Sequence, residues 1–315
     1  YSIDQTIKKF KNNRIERYKF IQVNLSDKEE TINAIKVVDP DLIMHLAAES
    51  HVDRSIDSPQ EFIFSNIVGT FNLLHASRLH FDCLNQERRK YFRFHHISTD
   101  EVFGSLGDEG LFSEKTSYDP RSPYSASKAA SDHLVNAWHH TYGLPIVLTN
   151  CSNNYGPWQF PEKLIPVTIL KALNGDKIPL YGDGLNKRDW LYVDDHVDAL
   201  LLAANKGKSG SKYCIGGSNE IDNRSIVEMI CKILNKKLNS KDNFLRLITF
   251  VKDRPGHDRR YSIDSSLIQK ELSWIPVTKL EVGLELTIDW YLKNINWCKK
   301  IKKRSFYSGE RLGIL

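Results

Sequence analysis

Long apolar runs are missing. No stretch approaches the ~18–20 consecutive apolar residues needed to span a bilayer, so no transmembrane helix and no membrane partner are expected. Cysteine is scarce: the five, at positions 83, 151, 214, 231 and 298, are odd in number and form no C-x-x-C. That excludes a disulfide framework and a cysteine zinc site, and predicts free thiols in a reducing, cytoplasmic compartment. His45, His95-His96 and His139-His140 lack the Cys, Asp or Glu spacing of a ligand set, so no metal is expected. Charge of one sign is not in large excess. The net +5 suits small anionic ligands without demanding nucleic acid. The strongest basic run, Lys299 to Arg304, has no recognition motif beside it and reads as a solvated terminal segment. There is no internal repeat or low-complexity linker. No signal peptide is visible, which carries little weight in a chain that opens on Tyr1.

What is present describes a buried core: 41% hydrophobic and 26% charged residues in 315. Tyr18 to Val23 alternates as a strand, and Ser26-x-x-Glu29 reads as a capping box opening a helix to about Val38, which Asp39-Pro40 breaks. Asp41 to Ala48 is a continuous apolar run, as in a strand buried on both faces. Pro59 to His80 has helical spacing. A strand then runs into Thr99, a loop spans Gly104 to Arg121, a helix runs to about Tyr142, and Ile146 to Ser152 is a strand. Such alternation predicts an α/β fold with a doubly wound parallel sheet. After about Gly156 the pattern loosens. A helix near Pro161 is followed by strands at Lys177–Tyr181, Trp190–Val193, Tyr213–Gly217 and Leu245–Val251. Further helices are expected at Val197–Ala204, Ser225–Leu234 and, last, Lys279–Asn294.

Phe94 to Gly104 begins as a β-prone run and ends in Ser98-Thr99-Asp100-Glu101. Ligands of open α/β sheets bind outside the carboxyl ends of strands. Two adjacent carboxylates there disfavour one another's charge, so one can give a proton while the other takes one. A solvated turn or a helix cap remains the other reading. Some twenty residues on, Ser122-Pro123 suits a helix start, and Tyr124 and Lys128 stand at i and i+4 on one face. A nearby ammonium favours phenolate, which makes Tyr124 a base for an alcohol proton. Y-x-x-x-K is weak by itself in a chain with 13 tyrosines, but this is the only such pair, and it follows a carboxylate-bearing strand end.

Together with Leu46-Ala47-Ala48-Glu49-Ser50-His51-Val52-Asp53 and Asn153-Asn154-Tyr155-Gly156-Pro157, these stretches resemble the extended short-chain dehydrogenase/reductases. The Thr-Asp-Glu triplet narrows the resemblance to the dTDP-glucose 4,6-dehydratase family, over essentially the whole chain. The resemblance implies a Rossmann-like NAD-binding domain over 1–156 and a smaller, partly interleaved sugar-nucleotide lobe over 157–315. Its implied chemistry is C4 oxidation, loss of water across C5/C6 and hydride return to C6: a lyase with internal redox. Tyr124 would be the C4 base, Lys128 would hold the nicotinamide ribose and depress the Tyr124 pKa, and Thr99 would bind the C4 oxygen. Glu101 would take the C5 proton, and Asp100 would protonate the leaving hydroxyl.

The implied NAD shell adds Leu46, Ala47, Ala48, Glu49, Ser50, Ser65 and Asn154, with Asn24 and Leu25 near adenine. The implied dTDP-sugar shell is Ser50, Asn153, Lys163, Leu164, Pro179, Tyr181, Arg188 and Asn223, with Asp253, Arg254 and His257 from one loop. Arg188 and Arg254 suit a diphosphate because guanidinium matches its oxygens bidentately. A surface charge for Arg188 and a plain turn for Arg254-Pro255-Gly256 stay open. A homodimer through the Pro59–His80 and Tyr124–Tyr142 helices is also implied.

Asn24, Phe103 and Cys214 depart from the Asp, Tyr and Asn usual in the family, and the Gly104–Arg121 loop is short. No G-x-G-x-x-G or G-x-x-G-x-x-G is present. The expectation is a fragment whose glycine turn precedes Tyr1, and which alone would bind NAD weakly and be inactive. A related nucleotide-sugar dehydratase or epimerase, or an inert nucleotide-sugar-binding protein, are the alternatives.

Overall fold

The computed structural model describes residues 18–240 and 243–304. Expectations about a segment ahead of Tyr1 lie outside the described residues. The first sheet holds four parallel strands in the order β1 (Leu42–His45), β2 (Arg93–Thr99), β3 (Ile146–Cys151) and β7 (Ser211–Ile215). The registers Ile43↔Phe94, Phe94↔Ile146 and Val147↔Ser211 bring Thr99, Cys151 and Ile215 level at the carboxyl ends.

Both sheet faces are covered, which is why the strands read as near-continuous apolar runs. On one face, α1 (Lys28–Val38), the composite helix α3 and α5 (Pro123–Tyr142) bury Ile32, Ile35, Leu74 and Val135 against Phe94, Ile146 and Leu148. Helix α3 comprises Pro59–Phe62, a π-helical segment Ile63–Val68, and Gly69–Cys83. On the other face, α7 (Val193–Lys206) and α9 (Ser266–Leu272) bury Ala199, Leu200 and Ile268 against Val147, Tyr213 and Ile215. Each fully buried Leu or Ile is worth ~1.5–3 kcal/mol of transfer free energy, before the cost of ordering the chain. Short helices α2 (Val52–Asp57) and α4 (Gln86–Tyr91) complete this part.

A second core gathers residues later in the chain. It carries the three strands β4 (Asn153–Tyr155), β6 (Lys187–Tyr192) and β8 (Glu220–Asp222), and the parallel pair β5 (Ile178–Tyr181) and β9 (Ile248–Val251). Helices α6 (Leu164–Asn174), α8 (Asn223–Leu238) and α10 (Leu280–Lys293) pack on them. In α8 the buried Ile226, Val227, Ile230, Cys231 and Leu234 fall at helical spacing on one face. Strand β7 follows β6 in sequence yet pairs with β3, so the two cores share the chain alternately.

Several sequence expectations are corrected. Tyr18 to Val23 is not a strand: Phe20 is 68% exposed, and among the described residues no strand lies beside it to take its backbone bonds. The cap of α1 is Asp27, whose carboxylate accepts from Glu30 N at 2.9 Å, while Ser26 Oγ donates to the Phe64 carbonyl instead. An anion at a helix N-terminus also suits the helix dipole. The helix expected near Pro161 begins at Leu164. Nor is α10 the last helix: α11 (Ile295–Arg304) follows, so the basic run is helical, and its neighbours Trp297 and Cys298 are buried in the second core. Among the described residues no helix is long and apolar enough to cross a membrane.

Candidate active site

Strand β2 stops in a 3₁₀ turn, Asp100–Phe103, capped by Thr99, whose Oγ1 accepts from Glu101 N at 3.2 Å. Val102 and Phe103 are buried and anchor the turn. Phe103 lies 5.2 Å from the Phe112 ring and 5.3 Å from Tyr118, edge to face. Gly104 then turns with φ +85°, and a Cβ there would stand 2.6 Å from the Asp119 carbonyl oxygen. Only glycine tolerates that combination. The turn is therefore not a solvated one, and the cap is Thr99. Asp100 is 1% exposed, its Oδ2 has no partner, and Thr99 Oγ1 donates to its Oδ1 at 3.3 Å.

The two carboxyls are unequal. Burial, then the charges of Glu101 and Asp189, push Asp100 well above the carboxylate range. Burial also raises Glu101, but Arg254, Arg188 and Lys163 pull it back. Of the two, Asp100 is pushed further toward its protonated form.

Helix α5 begins as its sequence predicts, with a reciprocal Ser122–Ser125 capping box and Pro123 in the first turn. Tyr124 and Lys128 are both buried. The Lys128 ammonium donates to the Ile97 carbonyl of β2 at 2.9 Å. The expected depression of the Tyr124 pKa is not what the structure produces. Burial first, then the Glu101 and Cys151 charges, drive the phenol well above its ordinary value, and the group pulling it down is the Thr99 hydroxyl.

One positioning residue escaped the sequence reading. Asn66, in the π-helical segment, accepts from Glu49 N at 2.8 Å and donates to the Glu49 carbonyl at 3.0 Å. It also donates to Ser127 Oγ at 2.8 Å, so it fastens the Leu46–Asp53 segment to α5. Its only sequence signal is a polar residue on a helix otherwise apolar at that face; π-segments often mark functional sites.

One cavity meets this centre and another lies on the far side of β1. The first, of about 560 Å³, contains Glu101 and brings together most of the expected sugar-nucleotide shell: Ser50, Asn153, Lys163, Leu164, Pro179, Tyr181, Arg188, Asn223, Arg254 and His257. Arg188 is not a surface charge. It is buried, donates to the Asp258 carbonyl at 2.9 Å and lies 4.3 Å over the Tyr261 ring. Arg254 is more than a turn residue: its Nη1 meets Asp53 at 2.8 Å, and its Nε is buried without a partner. Lys163 donates to the Ser50 carbonyl at 2.6 Å. Asp253 does not line the cavity; it accepts from Arg254 N at 2.8 Å and pairs with His257 Nδ1 at 2.6 Å. His51, Asp53, Glu162 and Trp190 line it and were missed. Asp53 takes both Arg254 and the Tyr181 hydroxyl, the latter at 2.9 Å.

The second cavity, of about 580 Å³, lies beyond β1 and gathers Asn24, Leu25, Ala47, Glu49 and Ser65. Leu46 is exposed nearby in sequence, while Asn154 donates to Cys151 Sγ and the Ser152 carbonyl.

The family described as GDP-mannose 4,6 dehydratase matches residues 2–287. A dTDP-glucose 4,6-dehydratase of Neisseria meningitidis serogroup B is 53% identical over 302 residues, covering 94% of this chain and 85% of the relative. The chain belongs to the dTDP-glucose 4,6-dehydratase family. Another dTDP-glucose 4,6-dehydratase, from Escherichia coli, is 51% identical over 324 residues, covering 99% of this chain and 89% of its own. The crystal structure of a family member, DesIV of Streptomyces venezuelae with NAD and TYD bound, superposes with a TM-score of 0.81 at 39% identity, covering 90% of this chain and 82% of that one.

Proposed function

We infer that this chain is an NAD-dependent hydro-lyase that converts dTDP-glucose to dTDP-4-keto-6-deoxyglucose. The observation that carries this is the carboxyl pair at one strand end: Asp100 is buried with Oδ2 unpartnered, which favours its protonated form, while Glu101 opens into the cavity of Arg188, Arg254 and Lys163. Tyr124 takes the C4 hydroxyl proton while Thr99 holds the C4 oxygen. Glu101 takes the proton at C5, which the 4-ketone acidifies. Asp100 gives its proton to the C6 hydroxyl, which leaves as water. Glu101 then returns a proton to C5. NAD, when bound, accepts the C4 hydride and returns it to C6.

The residues present fit NAD. The cavity of Asn24, Leu25, Ala47, Glu49 and Ser65 stands beyond β1, whose last residue His45 lies level with His96 of β2, and half-buried Asn153 and Asn154 each keep a buried amide oxygen without a partner. Lys128 would hold the nicotinamide ribose, and Arg188, Arg254 and Lys163 the sugar-nucleotide diphosphate. On this reading residues 1–156 mainly serve NAD and 157–315 mainly the sugar nucleotide.

The same reading includes a cytoplasmic homodimer. In its support, α3 and α5 pack together and present an aromatic face. Phe71 meets Trp138 at 5.8 Å, Trp138 meets Tyr142 at 5.4 Å, and Arg78 lies 4.0 Å over Tyr142. The five cysteines are free thiols.

Incubation with NAD and dTDP-, UDP- or GDP-glucose tests the reading. A 4-keto-6-deoxy product from the dTDP-sugar is expected. A C4 epimer with intact C6 hydroxyl would overturn it.

A further inference from the structure

Beneath the reacting groups lies a buried charge that the mechanism above does not use. Asp132 is fully buried one helical turn after Lys128 on α5, so the two share a helix face. Its Oδ2 accepts from Ser98 Oγ at 2.9 Å, from the Tyr118 hydroxyl at 2.8 Å and from Asn150 Nδ2 at 3.2 Å. Its Oδ1 stands 3.1 Å from His96 Nε2. These partners come from β2, the Gly104–Arg121 loop and β3. Two of them lead straight back to the site. Asn150 Nδ2 also donates to the Thr99 carbonyl at 3.0 Å, and Tyr118 packs edge to face on Phe103, inside the turn that carries Asp100 and Glu101.

A buried ammonium without a countercharge is costly, and so is a buried carboxylate. The geometry points to Asp132 as a positioning residue for C4 oxidation: its carboxylate is the countercharge that keeps Lys128 an ammonium, and it ties that ammonium to the Thr99–Glu101 turn. The inference rests on the dehydratase reading.

The surroundings agree. The groups facing Lys128 are His45 from β1, His96 from β2, Cys151 from β3, and Asp132 on its own helix. Those facing Asp132 are His96, Tyr118, Lys128 and, from β7, Lys212, whose ammonium lies 5.0 Å over the Tyr118 ring. Burial lowers both histidines, His45 well below its ordinary value, while Asp132 opposes the shift at His96. Burial pushes Lys128 down, and Asp132 is first among the groups that hold it up. Asp132 itself stays below the usual carboxylate range because His96, Lys128 and Ser98 outweigh its burial. Lys212 is partly buried and lowered as well by burial, with Cys214, Asp132 and Glu114 holding it up.

The test is a pH titration of the chain labelled with carbon-13 at lysine Cε, without substrate, comparing wild type, Asp132→Asn and Tyr118→Phe. A unit charge at this range moves a pKa by ~1–3 units. The Lys128 midpoint is therefore expected to fall by about one unit or more in Asp132→Asn, and to stay within about half a unit in Tyr118→Phe, which loses one donor but no charge. In single turnover of dTDP-glucose with NAD, the alkaline limb of NADH appearance moves to lower pH in Asp132→Asn, because the rate needs the ammonium and now loses it sooner.

An unchanged Lys128 midpoint in Asp132→Asn overturns the proposal. So does an equal fall in both variants, which is the signature of a merely structural role. Should Asp132→Asn not fold, Lys128→Met gives the reciprocal measurement. Coupling must be equal in both directions, so the Asp132 carboxyl carbon should titrate about one unit higher, and no change there overturns the proposal. A wild-type chain that titrates as described but does not oxidise dTDP-glucose counts against the dehydratase reading alone.

Discussion

Asp100→Asn separates the steps of the proposed reaction. The Asp100 carboxyl is 1% exposed, with one oxygen lacking any partner, and burial, Glu101 and Asp189 all favour its neutral form. Asparagine replaces a neutral group with a neutral group of the same shape, so the fold should tolerate it. What is lost is a proton that can be given away. General acid catalysis contributes ~10²–10⁴-fold, or about 2.7–5.4 kcal/mol of barrier. Loss of water should slow by that factor, while NADH appearance and exchange of the C5 hydrogen with solvent continue. Stopped-flow absorbance, deuterium incorporation at C5 and quenched product analysis read the three steps separately. Equal slowing of all three would refute the assignment, since it would mean that Asp100 shapes the site without acting as an acid.

Linkage gives an independent check on the same group. A carboxyl whose folded pKa is raised contributes stability present below its unfolded pKa of ~3.9 and lost as pH rises through the folded value. Thermal stability of the wild type should therefore decline as pH rises through the raised Asp100 pKa. Asp100→Asn should lack that part of the decline and retain the part due to Glu101, which is raised as well.

Tyr124→Phe should slow NADH appearance ~10²–10⁴-fold with sugar-nucleotide binding retained; an unchanged single-turnover rate assigns the base elsewhere. Because the Glu101 charge raises the Tyr124 phenol, Glu101→Gln should shift the acid limb of C4 oxidation to lower pH while slowing C5 exchange; a limb that stays in place or moves up contradicts the coupling. Asp53→Asn leaves Arg254 without its carboxylate partner at 2.8 Å and with side chains only 18% and 7% exposed. It should cost ~3–5 kcal/mol in denaturant unfolding and raise KM for the sugar nucleotide more than it lowers kcat. Gly104→Ala forces a side chain into a positive-φ turn 2.6 Å from a carbonyl. A loss of at least ~1–3 kcal/mol is expected, with unfolding at wild-type midpoint as the contrary result.

The parallel sheet was legible because buried strands leave contiguous apolar runs, as in Leu42–Met44 and Ile146–Leu148. The α5 start was legible because Ser122, Pro123 and Ser125 fix a helix end locally. Thr99, Asp100, Glu101, Tyr124 and Lys128 were legible because a polar cluster follows an apolar strand. The failures share a cause: they depend on partners distant in sequence. Nothing near Tyr18–Val23 says whether a neighbour will take its hydrogen bonds. Asp27 and Ser26 are equally good caps until Phe64 claims the Ser26 hydroxyl. Asn66, Asp53 and Asp132 sit in helices as ordinary polar residues, and only the fold shows that each is buried among donors from other elements. The direction of the Tyr124 shift also needed the fold, because i, i+4 spacing reports the nearby ammonium but not the burial and anions that outweigh it.

The proposed division of labour between Asp100 and Glu101 rests on the interleaving. The two side chains leave adjacent residues of one turn, so local sequence cannot make them differ. The difference comes from the later half of the chain. Lys163 stands at the N-terminal end of α6, Arg188 on β6 and Arg254 in the loop after β9, and all three lower Glu101. Asp100 faces Asp189, the residue beside Arg188 on the same strand, which raises it further. Arg188 lowers both carboxyls, whereas Asp189 raises Asp100 and Arg254 and Lys163 lower Glu101. Glu101 is thereby kept closer to ionisation and Asp100 kept protonated, as a base and an acid acting on neighbouring carbons require. Removing the Asp189 charge should therefore blunt one role and spare the other: Asp189→Asn should lower the Asp100 pKa, shift the alkaline limb of water loss to lower pH, and leave the C5 exchange of Glu101 comparatively untouched.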